Sequence, residues 1–113
     1  MNKDTVLLFT RFGLGQGPAE LQILLAQKYL SLLLETGRLP GKLLFYTDGV
    51  RLACDGSPVL EQLTRLENLG VELVLCKTCL DTYQLTNHVK VGVVGGMGDI
   101  IETMQRAVQV ISL

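Results

Sequence analysis

The chain has 113 residues, of which 48% are hydrophobic and 5% aromatic, with no tryptophan and a formal net charge of −1. That length suits a single domain, expected to span residues 1–113 around an aliphatic core. The charge balance supplies no basic patch, so neither nucleic acid nor an anionic membrane is expected as a partner. No apolar run approaches the roughly 18 residues of a spanning helix, and the N-terminal run Thr5 to Phe9 is too short for a signal-peptide core. A cytoplasmic location follows. There, three cysteines are more naturally reactive, metal-binding or buried than disulfide-bonded.

Thr5 to Thr10 is the first expected strand. A glycine-rich connection, Arg11 to Gly17, leads to Pro18, which opens a helix running to about Glu35, where Gly37 stops it. This helix is apolar on nearly every side, which implies burial of one face on the sheet and of another against a partner subunit. Lys42 to Thr47 is the second strand, Asp48-Gly49 turns the chain, and Val50 to Cys54 forms a helical turn. Ser57 caps a second helix with Pro58 at its first position, and Leu60, Leu63 and Leu66 form its stripe. Gly70 ends it. Val71 to Leu75 then reads as a strand covered on both faces. It runs directly into Cys76-Lys77-Thr78-Cys79, with a short helix expected over Cys79 to Leu85. Val89 to Val94 is the fourth strand, Asp99 to Ala107 a helix of clear 3.6-residue period, and Val108 to Leu113 a fifth strand or an apolar tail.

Alternating strands and helices indicate an α/β fold, a three-layer sandwich around a mainly parallel five-stranded sheet. Four connections then share one sheet edge: Arg11 to Gly17, Asp48 to Cys54, Cys76 to Cys79 and Gly95 to Gly98. Ligands and reactive groups gather at such an edge. Cys76 lies where the third strand ends, before a helix start and beside Lys77, with Arg11 on the same edge, and both settings favour a thiolate. Cys79, three residues on, is spaced to attack a sulfur species on Cys76 or to be attacked by it. Cys76 and Cys79 are therefore the candidate catalytic residues. Cys54, beside Leu52 and Ala53, reads as a buried residue.

One Cys-x-x-Cys with His88 and Cys54 as the only further soft ligands gives no metal centre, and His88 reads as a loop residue. The Gly13, Gly15, Gly17 series lacks the dinucleotide spacing, because position 18 is proline, and the lysine of a phosphate loop is missing. No cofactor is expected. Asp48 and Asp99 suit capping, and Asp81 would raise a thiol pKa if it faced the sulfur.

The run Gly70 to Leu85, with Cys76-Lys77-Thr78-Cys79-Leu80-Asp81 and Tyr83, resembles the DsrE/DsrF-like sulfur-relay family. Within it the run is most similar to the C-terminal domain of YedF-type selenium-metabolism proteins. Thr47-Asp48-Gly49-Val50, Gly70-Val71-Glu72 and Val91-Gly92 to Met97-Gly98-Asp99-Ile100 agree with this. The resemblance implies a parallel α/β sandwich that assembles as a dimer, trimer or larger ring. It also implies a persulfide on the cysteine ending the third strand, here Cys76, with Cys79 assisting. Asp48, Gly49, Val50, Arg11, Lys77, Gly95 and Met97 are taken as lining the site. YedF-type proteins usually begin with a TusA-like domain carrying Cys-Pro, and no Cys-Pro occurs here. The resemblance therefore implies a stand-alone version or a paralogue with a separate partner.

Three functions are weighed. The first is a sulfur carrier, possible for selenium too, that docks sulfur-donor and acceptor proteins and acts as a sulfurtransferase-like persulfide holder. The second is a dithiol redox module, although no tryptophan precedes the pair and no proline lies within it. The third is a non-catalytic oligomeric binding module that uses the apolar first helix.

Overall fold

The computed structural model describes every residue from Met1 to Leu113. Its core is one cluster of 25 buried apolar residues. Five strands, β1 (Thr5–Phe9), β2 (Lys42–Phe45), β3 (Glu72–Cys76), β4 (Val93–Gly95) and β5 (Gln109–Ser112), form one sheet in the order β4-β3-β2-β1-β5. All four pairings are parallel, in the register Phe9↔Phe45↔Leu75↔Val94. The expected three-layer α/β sandwich is therefore present, with a sheet that is wholly parallel.

The central strands are apolar on both faces because both faces are covered. Leu7, Phe9, Leu43, Leu44, Phe45 and Leu75 have no exposed surface. Phe9 and Phe45 stack at 5.3 Å between ring centroids, a pairing that adds about 1 kcal/mol to the burial of the two rings.

Helix α1 (Ala19–Thr36) follows Pro18 and ends at Gly37, and α2 (Leu60–Asn68) packs beside it. Ser57 accepts the Val59 amide at 3.2 Å, so Pro58 and Val59 form a turn and the helix proper starts at Leu60. Steps from β1 through β4 all run in one direction, and the return to β5 runs the other way. Right-handed crossovers thus put α4 (Met97–Arg106) on the face opposite α1 and α2.

The fourth strand is shorter than its apolar run. Val89 pairs antiparallel with Cys54, and the Lys90 amide donates to the Ala53 carbonyl at 2.9 Å. The chain joins the sheet only after Gly92. Its apolar residues before that point are spent on the Thr47–Ala53 segment, not on β3.

Candidate functional site

The switch in crossover direction falls between β3 and β4. The connection after β3 stays with the α1 and α2 layer, whereas the one after β4 leads to α4 on the other face. Sheets of this kind open a crevice at that point, at the carboxyl ends of the strands. Here those ends are Cys76 and Gly95, which are paired in register. Gly95 has no room for a side chain, since a Cβ there would lie 2.8 Å from Val74 Cγ1.

Cys76 ends β3 and is also the residue before α3 (Lys77–Thr82). The short helix therefore starts two residues earlier than its sequence suggests, because no breaker separates strand from helix. Leu80 anchors it in the core, and Gln84, at φ 58°, ends the excursion. The two sulfurs sit differently. Cys76 is 1% exposed, whereas Cys79 is half-buried, and neither is in a disulfide.

The environment of Cys79 is built by a segment 32 residues away. The tight helical segment Thr47–Ala53 follows β2, and the Thr47 amide donates to Cys79 Sγ at 3.0 Å. Thr47 is held at φ 47°, a left-handed conformation that is an outlier for a β-branched residue. Its hydroxyl lies 2.7 Å from the Thr10 carbonyl, a bond that ties the ends of β1 and β2 together. Gly49 permits this seating, since a Cβ on it would lie 2.0 Å from the Phe9 carbonyl oxygen. Partial burial pushes the Cys79 thiol up, and contact with Cys76 adds to this. The Thr47 amide opposes both by stabilising the thiolate, but the thiol remains above its ordinary value.

Beside this sulfur, Arg51 stacks on Tyr83 at 4.3 Å and pairs with Asp48 at 3.3 Å. Partial burial and the Asp48 carboxylate push the Tyr83 phenol up. Thr47, although it opens the Thr47-Asp48-Gly49-Val50 motif, and Arg51 are not among the residues expected to line the site. The only signal for Thr47 is its place immediately before Asp48-Gly49, and nothing local marks its backbone angle.

The other residues expected at the site are distributed as follows. Asp48 is exposed and holds Arg51. Gly49 is buried backbone, and Val50 is a core residue with no exposed surface. Lys77 turns away from the sulfurs and pairs with Asp81 at 2.7 Å. Asp81 also accepts the Thr86 hydroxyl at 2.9 Å, and the two bonds hold its carboxyl below the usual range. It therefore does not act on Cys79. Arg11 donates to the Gly15 carbonyl within its own loop, and none of its hydrogen bonds or ion pairs reaches a sulfur. Met97 is exposed at the start of α4.

Cys54 is fully enclosed and donates to the Val50 carbonyl at 3.3 Å. Exposed His88 meets Asp55 at 3.1 Å. No three of the acidic, histidine and cysteine side chains converge as a metal site. A cavity of about 400 Å³ runs along the α4 face between Lys42, Glu72 and Arg106, and neither sulfur lines it.

The family model of the DsrE/DsrF-like family matches residues 15–113. The chain belongs to the DsrE/DsrF-like family. Among solved structures it is similar to the ychN protein from E. coli, at 21% identity and TM-score 0.70 with both chains fully covered. MTH1491 from Methanobacterium thermoautotrophicum, a protein of unknown function, aligns at 17% identity and TM-score 0.71, covering 96% of this chain and 97% of that one. BT1422 from Bacteroides thetaiotaomicron, also of unknown function, aligns at 12% identity and TM-score 0.69, covering 97% and 95%. These likenesses establish the fold. No curated protein matches the sequence. No helix is long and apolar enough to cross a membrane.

Proposed function

We propose that this chain is a sulfur carrier of sulfurtransferase-like type, holding a persulfide on Cys76 with the assistance of Cys79. The observation that carries the reading is the pair itself. Two free thiols three residues apart sit where the sheet's crossover direction switches, and a strained backbone amide is aimed at one of them. Stabilising a thiolate is what sulfur transfer requires, because the thiolate is the nucleophile and later the leaving group. Membership of the DsrE/DsrF-like family supports the same chemistry. Neither a nucleotide nor a metal enters it.

The donor and the acceptor would be proteins of the cytoplasm docking at the strand-end edge. The likeness of the Cys76 to Tyr83 run to YedF-type proteins extends the reading to selenium, which sulfur chemistry at this pair would also accommodate. Self-association as a dimer or trimer belongs to the same proposal. It rests on α1, whose Leu21, Leu24, Leu25 and Leu32 form an exposed apolar stripe opposite the buried Ala26, Leu30 and Leu33.

The test is retention of sulfur. The protein is incubated with a cysteine desulfurase and cysteine, desalted, and weighed by mass spectrometry. The parent should keep one extra sulfur atom and Cys76→Ser should not. Equal retention by the two would refute the assignment. The spacing of the two free thiols also favours a second reading, dithiol–disulfide exchange. A redox titration that finds no reversible Cys76–Cys79 disulfide removes it.

A further inference from the structure

We propose that the two cysteines divide the work, with Cys79 as the port through which sulfur enters and Cys76 as the store in which it rests. This rests on the carrier reading and adds a direction to it.

Access separates the two thiols. Exchange at sulfur requires the attacking thiolate to approach along the breaking S–S bond, so a shielded thiol reacts slowly with a bulky donor. Cys76 is 1% exposed, while Cys79 is half-buried at the surface of α3. A persulfide carried on a docked protein can therefore meet Cys79 first. The Thr47 amide, 3.0 Å from Cys79 Sγ, lies where negative charge exists before attack and reappears on departure. No backbone amide reaches Cys76, whose neighbours are Cys79, Gly95 across the sheet and the core. The port is thus provided with a thiolate-stabilising donor and the store with shelter from water and small thiols.

The chemistry balances without an oxidant. In the first step the Cys79 thiolate attacks the outer sulfur of the donor persulfide. The Cys79–sulfur bond forms, the donor's S–S bond breaks, and the donor thiolate leaves with that electron pair. In the second step the Cys76 thiolate attacks the same sulfur, forming Cys76-S-SH, and Cys79 leaves as the thiolate onto the Thr47 amide. Each step exchanges one S–S bond for another, with no net oxidation. The single proton involved stays on the transferred sulfur or passes to water. Delivery runs the two steps in reverse.

The sequence makes the test direct. Lys77 stands between the two cysteines, so trypsin places Cys76 on Leu66 to Lys77 and Cys79 on Thr78 to Lys90. The parent is loaded from a persulfidated cysteine desulfurase, stopped at successive times with iodoacetamide, digested and mapped. Extra sulfur should appear first on Thr78 to Lys90 and then accumulate on Leu66 to Lys77. In Cys79→Ser, loading from the protein donor should fall about tenfold or more, because access governs the exchange rate. Loading from inorganic polysulfide, a small donor, should fall far less, whereas a damaged fold would lower both. In Cys76→Ser extra sulfur should appear on Thr78 to Lys90 only transiently and be lost to the free thiols of the assay before desalting, so that none is retained. If Cys79→Ser loads from the protein donor at the parent's rate, or Leu66 to Lys77 is labelled first, the port assignment is overturned while the carrier reading stands. If the parent acquires no sulfur from either donor, the carrier reading itself is overturned.

Discussion

The two ends of the Thr47–Ala53 segment each hold a cysteine sulfur, and they hold it in opposite senses. At the far end Cys54 is enclosed and its thiol donates to the Val50 carbonyl. At the near end Cys79 is half-buried and its sulfur accepts from the Thr47 amide. A sulfur that donates is kept as a thiol, whereas one that accepts from an amide is prepared to carry charge. The same short segment therefore sets the two cysteines apart, and hydrogen-bond direction adds to their difference in burial.

Gly49→Ala should have the largest effect, because it strikes both ends at once. The new methyl would meet the Phe9 carbonyl, and overpacking against backbone costs about 3 kcal/mol. Urea unfolding should show that loss; a cost under about 1 kcal/mol would mean the segment lifts off β1 easily.

Cys54→Ala should cost about 1 kcal/mol near neutral pH, from the lost contacts and the small void. It also carries a pH signature. Burial, reinforced by Asp55, pushes the Cys54 thiol up. A raised folded pKa means stability that is complete below the unfolded value of about 8.5 and is lost as pH rises through the folded one. Stability of the parent should therefore fall on the alkaline side more steeply than that of Cys54→Ala. Parallel profiles would contradict the enclosed-thiol description.

Thr47→Gly tests the other end with little damage. It relieves left-handed strain but loses the hydroxyl bond to Thr10 and adds chain entropy, so stability should change by less than about 1 kcal/mol. With the amide no longer held in place, Cys79 alkylation near pH 8 should slow severalfold, since a bond to a charged acceptor is worth about 1.5–3 kcal/mol. Unchanged alkylation would mean the amide is not acting on the sulfur.

The smallest effect is expected at Asp55, outside both sulfur sites. Hydrogen bonds from His88 and Lys90 hold its carboxyl below the usual range. Its contribution is present above the unfolded pKa of about 3.9 and lost as pH falls through the folded value. Asp55→Asn should leave thermal stability at pH 7 nearly unchanged and flatten the acid limb of the profile.

Much of this was legible in the sequence because it is local. Apolar runs bounded by glycine and proline mark the strands and helices, and Val71 to Leu75 running into Cys76 marks the strand-end sulfur. The Lys77–Asp81 pair follows only once α3 begins at Lys77 instead of Cys79, since residues four apart on a helix then meet, and it explains why Lys77 does not serve the sulfur. The rest depends on segments distant in sequence. Val89 joins Cys54 instead of β3, Arg51 stacks on Tyr83, and the Thr47 amide reaches Cys79. Periodicity says nothing about which of two cysteines three residues apart will be enclosed. Here Cys76, paired with Gly95 at the end of β3, is enclosed, while Cys79 on α3 is half-buried.

The most direct measurement is the intact mass of two variants after exposure to a cysteine desulfurase and cysteine, followed by desalting. Cys54→Ala should retain one extra sulfur atom, as the parent does. The double variant Cys76→Ser/Cys79→Ser, folded by circular dichroism, should retain none. Sulfur kept by the double variant, or lost with Cys54, would contradict the assignment of the Cys76–Cys79 pair as the seat of the chemistry.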